Sequence, residues 1–150
     1  MIITDSTYRG LPVAAKECKI KDENQYRNIL QELDTISKLN YDSIIQNYVF
    51  SRHSEGNRKY FVLVMERADC DLQDIIGRVT RDGSARKPCS MKDKKMYILQ
   101  IANGLWALNY QGMYHGDIKT DNILIVDGDC KLADFGLSKL IPESSWEMDE

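Results

Sequence analysis

His115-Gly116-Asp117-Ile118-Lys119-Thr120-Asp121-Asn122-Ile123-Leu124, followed by Asp134-Phe135-Gly136, is the stretch on which the fold turns. Ile123 to Val126 and Cys130 to Leu132 read as two short strands, and Asp127-Gly128 between them is a strong hairpin signal. Folding that hairpin brings its two ends together. With a two-residue loop Asn122 falls opposite Ala133; with a three-residue loop that takes in Asp129 it falls opposite Asp134. In either register an amide and a carboxylate lie side by side. A hard divalent cation such as Mg²⁺ takes oxygen from one or two protein groups and the remainder from phosphates and water. Asn122 and Asp134 fit that task, so the pattern points to phosphoryl transfer from a nucleotide. The competing reading makes Asp117, Asp121, Asn122 and Asp129 ordinary turn residues beside a hairpin. That reading serves one motif alone better than two at this spacing.

Upstream residues test the idea independently. In Val13-Ala14-Ala15-Lys16-Glu17-Cys18, strand alternation puts Ala14 and Lys16 on one face, a small residue beside a cation. Gln25 to Leu39 carries Ile29, Leu33 and Ile36 at helical spacing, and Glu32 falls within that stripe, so a carboxylate faces inward. The alternative is a solvated helix edge with an ordinary charge. Phe61-Val62-Leu63-Val64-Met65 reads as a buried strand, preceded by the turn-rich Ser54-Glu55-Gly56-Asn57 and opening into Arg67-Ala68-Asp69-Cys70.

These residues resemble the eukaryotic-type protein kinase family, whose catalytic loop reads H-R-D-x-K-x-x-N and whose metal loop reads D-F-G. The resemblance implies an α+β fold: a small N-lobe sheet with one main helix over residues 1–65, a hinge at 66–70, and the beginning of a helical C-lobe over 71–150. It implies that Asp117 is the catalytic base facing the acceptor hydroxyl, that Lys119 steadies the transferring phosphate, and that Asn122 and Asp134 hold magnesium. Lys16 and Glu32 would be the ion pair that positions the phosphates. Ala14 would roof the adenine, Met65 would be the gatekeeper, backbone groups at Glu66 and Ala68 would bond the adenine edge, and Leu124 joins the nucleotide-contacting set. ATP and Mg²⁺ are the implied cofactors and a protein hydroxyl the acceptor. Lys119 favours a serine/threonine kinase.

The chain departs from the family pattern in three places. Gly116 replaces the arginine of H-R-D, which implies that a phosphorylated activation loop is not the switch. Thr7-Tyr8-Arg9-Gly10 resembles the strand after the glycine-rich loop, but counting back puts Asp5 and Ile2 where glycines belong, so that loop is missing or degenerate. Only Leu137 to Glu150 follow Gly136, without an A-P-E motif. The expectation is therefore a fragment of a serine/threonine kinase with little activity by itself. Two rivals stand beside it: a kinase-like half-domain that binds nucleotide or a partner without transfer, and a small-molecule phosphotransferase of the aminoglycoside or choline kinase type, where H-G-D-x-x-x-x-N also occurs. Lys119 and the D-F-G run favour the protein kinase branch; intact Lys16, Glu32, Asp117, Asn122 and Asp134 favour an active parent.

Composition agrees with a soluble intracellular chain: 43% hydrophobic, 29% charged, formal net charge −3. No apolar stretch approaches membrane-spanning length, no cationic leader precedes Asp5, and the expected compartment is cytoplasmic or nuclear. The acidic balance offers no broad basic field for nucleic acid, and Arg78, Arg81, Arg86 and Lys87 read as a solvated cluster in a polar loop from Gly77 to Cys89. Cys18, Cys70, Cys89 and Cys130 lack a close pair, which predicts reduced thiols rather than a zinc site or disulfides. Asp71 to Ile76 predicts a short helix. Ser90, with Asp93 after it, predicts the capped start of a long helix over Met91 to Tyr110. Its Ile98, Ile101, Ala102, Leu105 and Leu108 form one stripe and its Leu99 and Trp106 another, so partners are expected on both sides. Oligomeric state is not legible in the sequence.

Overall fold

A computed structural model describes residues 2–37, 39–77, 89–135 and 138–141. Strand β1 (Ile2–Tyr8) turns through Arg9 and Gly10, both at positive φ (51° and 81°), into β2 (Leu11–Ile20). That is the backbone a tight two-residue hairpin requires. Ile2 and Asp5, at the positions where glycines were counted, lie in regular antiparallel pairing opposite Glu17 and Ala14. Helix α1 (Glu23–Ser37) follows, and its entry is fixed reciprocally: Gln25 N–H donates to Asp22 Oδ1 at 2.7 Å while Lys21 N–H donates to Gln25 Oε1 at 2.8 Å. Its Ile29 and Leu33 pack with Tyr26 against Ile20, Phe61 and Leu63, as the helical stripe predicts for those two, while the side chain of its third member, Ile36, lies outside the described residues. Strands β3 (Asn47–Glu55) and β4 (Arg58–Glu66) join through Gly56-Asn57 and complete an antiparallel sheet of order β1-β2-β4-β3.

Beyond β4 the chain forms β5 (Cys70–Asp71), and Asp71 caps α2 (Leu72–Ile76) by accepting Asp74 N–H at 2.7 Å. The polar loop expected from Gly77 to Cys89 lies, for residues 78–88, outside the described residues. Helix α3 (Met91–Tyr110) begins where predicted: Ser90 Oγ accepts Asp93 N–H at 3.1 Å and its hydroxyl donates to Asp93 Oδ2 at 2.7 Å. The remaining elements are β6 (Met113–Tyr114), a 3₁₀ turn at Thr120–Asn122, β7 (Ile123–Val126), β8 (Asp129–Leu132) and β9 (Lys139–Leu140). They form a three-stranded sheet, β5-β7-β8, and a two-stranded one, β6-β9.

The main core gathers Leu39, Ile44, Ile45, Leu72, Leu108, Leu132 and Phe135 between α3, the β7–β8 hairpin and the segment leading into β3. The outer edge of β8 is not left open. Leu132 N–H donates to Ser43 O at 2.9 Å, Ile45 N–H to Leu132 O at 2.9 Å, and Cys130 N–H to Gln100 Oε1 at 2.9 Å. This covering satisfies polar groups that burial would otherwise leave costly.

The face of α3 differs from expectation. Its seam runs through Tyr97, Ile101, Gly104, Ala107 and Leu108, whereas Ile98, Leu99 and Trp106 are 67%, 62% and 60% exposed. Two members of the predicted first stripe, Ala102 and Leu105, are exposed as well. The reason is Gly104: a Cβ there would meet Ser43 O at 2.8 Å and Leu132 Cδ1 at 2.9 Å. The helix is closest to its neighbours at its smallest residue, and close approach sets the contact line. All four cysteines are free, as expected, and burial pushes the Cys130 thiol up to about 12, well away from reactive thiolate chemistry. Among the described residues no helix is long and apolar enough to cross a membrane.

Candidate active site

The β7–β8 hairpin adopts the two-residue register. Val126 pairs Asp129 and Ile123 pairs Leu132, around Asp127 and Gly128 at φ 50° and 88°. The ladder runs one step further through Ala133 N–H to Asn122 O at 2.9 Å, so Asn122 stands opposite Ala133 and next to Asp134. Asp134 itself has φ 60°, a left-handed conformation that costs a non-glycine residue energy and is concentrated at functional sites.

His115 joins the two signature runs. It is 2% exposed. Its Nε2 lies 2.9 Å from Ala133 O, which can only accept, while Nδ1 faces the Asp117 N–H at 3.3 Å. These partners select the neutral tautomer with hydrogen on Nε2. The ring tilts against Phe135 at 5.0 Å between centroids, and Ser138 Oγ donates to His115 O at 3.0 Å.

Around this buried joint the polar side chains converge. Asp117 Oδ2 accepts from Lys119 Nζ at 2.8 Å and from Asn122 Nδ2 at 2.8 Å. The Lys119 hydrogen bond, aided by Asn122, holds the Asp117 carboxyl below its ordinary range, and the same bond raises Lys119. Asn122 Nδ2 also donates to Asp117 O at 2.9 Å, which commits its amide hydrogens to the loop and leaves Oδ1 for a cation. Thr120 Oγ1 donates to Gln73 Oε1 at 2.8 Å and ties the loop to α2.

Lys16, on β2, reaches across from the four-stranded sheet: its Nζ lies 2.5 Å from Asp134 Oδ1. The partner expected from sequence was Glu32, whose side chain lies outside the described residues. Ala14 pairs Met65 across the β2–β4 ladder, so the small residue and the expected gatekeeper are neighbours two positions from Lys16. Ala68 is half-buried on the segment after β4. Leu124 is half-buried against the main core and pairs Asp71 and Lys131. Glu66 does more with its side chain than sequence suggested: its carboxylate takes Lys131 Nζ at 2.9 Å to each oxygen and the Gln46 N–H at 2.6 Å. Gly136 lies outside the described residues.

The donor set suits a cation that shares its shell with phosphate. Among the described residues no cluster of three or more His, Cys, Asp or Glu forms a protein cage for a metal. One carboxylate at Asp134 beside one amide oxygen at Asn122 is instead the sparse set that Mg²⁺ uses when phosphates and water supply the rest.

The neutral histidine carries a pH prediction. Burial depresses the His115 pKa below its ordinary 6.5. The unfolded chain therefore binds the extra proton first, and stability is undiminished above pH 6.5 and falls as pH drops from there toward the folded value. The slope from this one group is at most about 1.4 kcal/mol per pH unit. Urea midpoints measured from pH 7.5 to 5.5 should decline for the wild type, and His115→Gln, less stable at neutral pH, should decline less steeply. Parallel curves for the two proteins would remove His115 as the source.

A sequence model of the protein kinase domain matches residues 5–149. The rat proto-oncogene serine/threonine-protein kinase mos is 35% identical over 147 residues, covering 92% of this chain and 43% of that protein. The mouse mos kinase is 33% identical over the same shares, and the rat NUAK family SNF1-like kinase 2 is 37% identical over 125 residues, 81% of this chain and 18% of that kinase. The chain thus spans less than half the length of these curated relatives. The match runs through the sheet that carries Lys16 and the hairpin that joins Asn122 to Asp134, and the chain belongs to the protein kinase family.

Proposed function

We propose that this segment is the nucleotide-binding and catalytic-loop portion of a serine/threonine protein kinase that transfers the γ-phosphoryl group of ATP to a protein hydroxyl. One observation carries the reading: Lys16 Nζ, from the sheet, lies on Asp134 Oδ1, from the hairpin, beside Asn122 and Asp117. A cation, two oxygen donors suited to a metal and an ionised carboxylate are thus linked by contacts that run from the sheet to the hairpin and the loop before it. Similarity to serine/threonine kinases supports a protein acceptor over a small amino alcohol.

Each residue then has a task. Ala14, Met65, Leu124 and the backbone at Glu66 and Ala68 would seat the adenine. Lys16 would hold phosphate oxygens, with Glu32 as its orienting carboxylate. Asn122 and Asp134 would hold Mg²⁺, which neutralises charge on the phosphates when bound. Asp117, kept ionised by Lys119 and Asn122, would orient the acceptor hydroxyl and take its proton, and Lys119 would steady the transferring group. Positioning and charge neutralisation supply the acceleration.

The 150-residue chain alone should bind nucleotide with little turnover. Calorimetric titration with MgATP tests this. Lys16→Met should weaken binding about 10- to 100-fold, the worth of a hydrogen bond to a charged group. Lys59→Met, which removes an exposed contact to Glu23 at 3.5 Å, should leave binding unchanged. Equal affinity in wild type and Lys16→Met would overturn the role of Lys16, and rapid peptide phosphorylation by the isolated chain would overturn the expectation of little turnover.

A further inference from the structure

The ion pair between Glu66 and Lys131 adds a side-chain link between β4 and the β7–β8 hairpin, which is also tied to the segment entering β3 through Ser43 O and Ile45 N–H. Glu66 is the last residue of β4; Lys131 is on β8, shortly before Asp134. Their side chains are only 12% and 18% exposed, so solvent screens the pair weakly. The ammonium reaches both carboxylate oxygens at 2.9 Å, and Glu66 Oε1 also accepts Gln46 N–H at 2.6 Å. Glu66 N–H returns the bond to Gln46 O at 2.9 Å. One carboxylate therefore fastens three pieces: the end of β4, the segment entering β3, and the hairpin.

Each end of this knot adjoins residues assigned above to nucleotide binding. Met65 precedes Glu66 in the chain, and Leu124 is the cross-strand partner of Lys131. A shift of β8 against β4 would move Leu124 and Asp134 relative to Ala14 and Met65. The exposed pair of Arg52 with Glu23 joins β3 to α1 and has no such connection.

We propose that the Glu66 and Lys131 side chains act as positioning groups that hold the adenine-facing end of β4 and the metal loop in register, so that nucleotide affinity depends on a side-chain ion pair that does not itself touch nucleotide. This rests on the nucleotide reading above, and its test separates the two. In the 150-residue chain, Lys131→Met keeps the aliphatic stem and removes the charge. Hydrogen exchange of the ligand-free protein should quicken at Gln46 and Ala133 while the β1–β2 and α3 amides keep their wild-type rates. MgATP affinity should fall at least about threefold, within the range by which residues off a ligand alter coupling. Lys131→Arg, which preserves the charge and a bidentate bond, should restore both readouts. Uniformly faster exchange across the chain, a failed arginine rescue, or nucleotide affinity equal to or tighter than wild type would overturn the proposal. If the wild type bound no nucleotide, the nucleotide reading would fall, and with it the affinity role, while the exchange pattern would still decide whether the pair holds the two segments in register.

Discussion

Asp117→Asn is expected to lower peptide phosphorylation by about 10²- to 10⁴-fold, the usual worth of a positioned general base, while nucleotide affinity stays nearly unchanged. The measurement belongs in a protein that carries this segment within a chain of its relatives' length. Asparagine has the same shape, and its amide oxygen can still accept from Lys119 Nζ and Asn122 Nδ2, which lie 2.8 Å from Oδ2 in the wild type. What it loses is the ability to take a proton. Lys119 and Asn122 already keep the Asp117 carboxyl below its ordinary range, so at neutral pH the wild-type group is charged. The loss should appear in kcat with the KM for ATP nearly constant, because Lys16 and Asp134 are untouched. A drop below about tenfold would mean that Asp117 only orients its loop, and the base would have to be sought elsewhere.

The parts of this architecture legible in sequence are those set by local chemistry. Asp127-Gly128 announces a turn whose backbone, at φ 50° and 88°, few other pairs tolerate. Ser90 with Asp93 marks the first residue of α3 because a hydroxyl must satisfy an orphan amide there. Strand β3 had no comparable signal. From Phe50 to Glu55 every residue is exposed, so no alternation between a buried and a solvated face marks it, and it exists because β4 supplies its hydrogen bonds. Candidate residues within the two signature runs were readable because they lie close together in the chain. The links between them were not: His115 to Ala133, Lys16 to Asp134 and Glu66 to Lys131 depend on tertiary closure. Lys131 lies outside both signature runs. A cation inside the alternation of a strand whose neighbours Cys130 and Leu132 are buried was the available hint.

Gly104→Ala should destabilise the chain by about 2–3 kcal/mol, although alanine is the better helix former by about 1 kcal/mol. The added methyl would stand 2.8 Å from Ser43 O and 2.9 Å from Leu132 Cδ1. Ser43 O cannot retreat freely, because it accepts the Leu132 N–H at 2.9 Å, and Ile45 N–H in turn donates to Leu132 O at 2.9 Å. Moving it would strand buried backbone groups, at about 1–3 kcal/mol each. Leu132 is 1% exposed, and a side chain in a close-packed interior yields little to an added methyl. Overpacking therefore outweighs helix propensity. The neighbouring Asn103 is exposed on the same helix, so Asn103→Ala meets no such wall and should gain a few tenths of a kcal/mol. Thermal melts of the two variants should move in opposite directions, with Gly104→Ala lower by about 5–10 °C. Adding Leu132→Val to Gly104→Ala should return part of the loss by vacating the space the methyl needs, a non-additivity expected of residues in contact. If Gly104→Ala melted at or above the wild-type temperature, the close crossing of α3 over the Ser43 and Leu132 backbones would be wrong, and with it the reason the helix turns Trp106 and Leu99 outward.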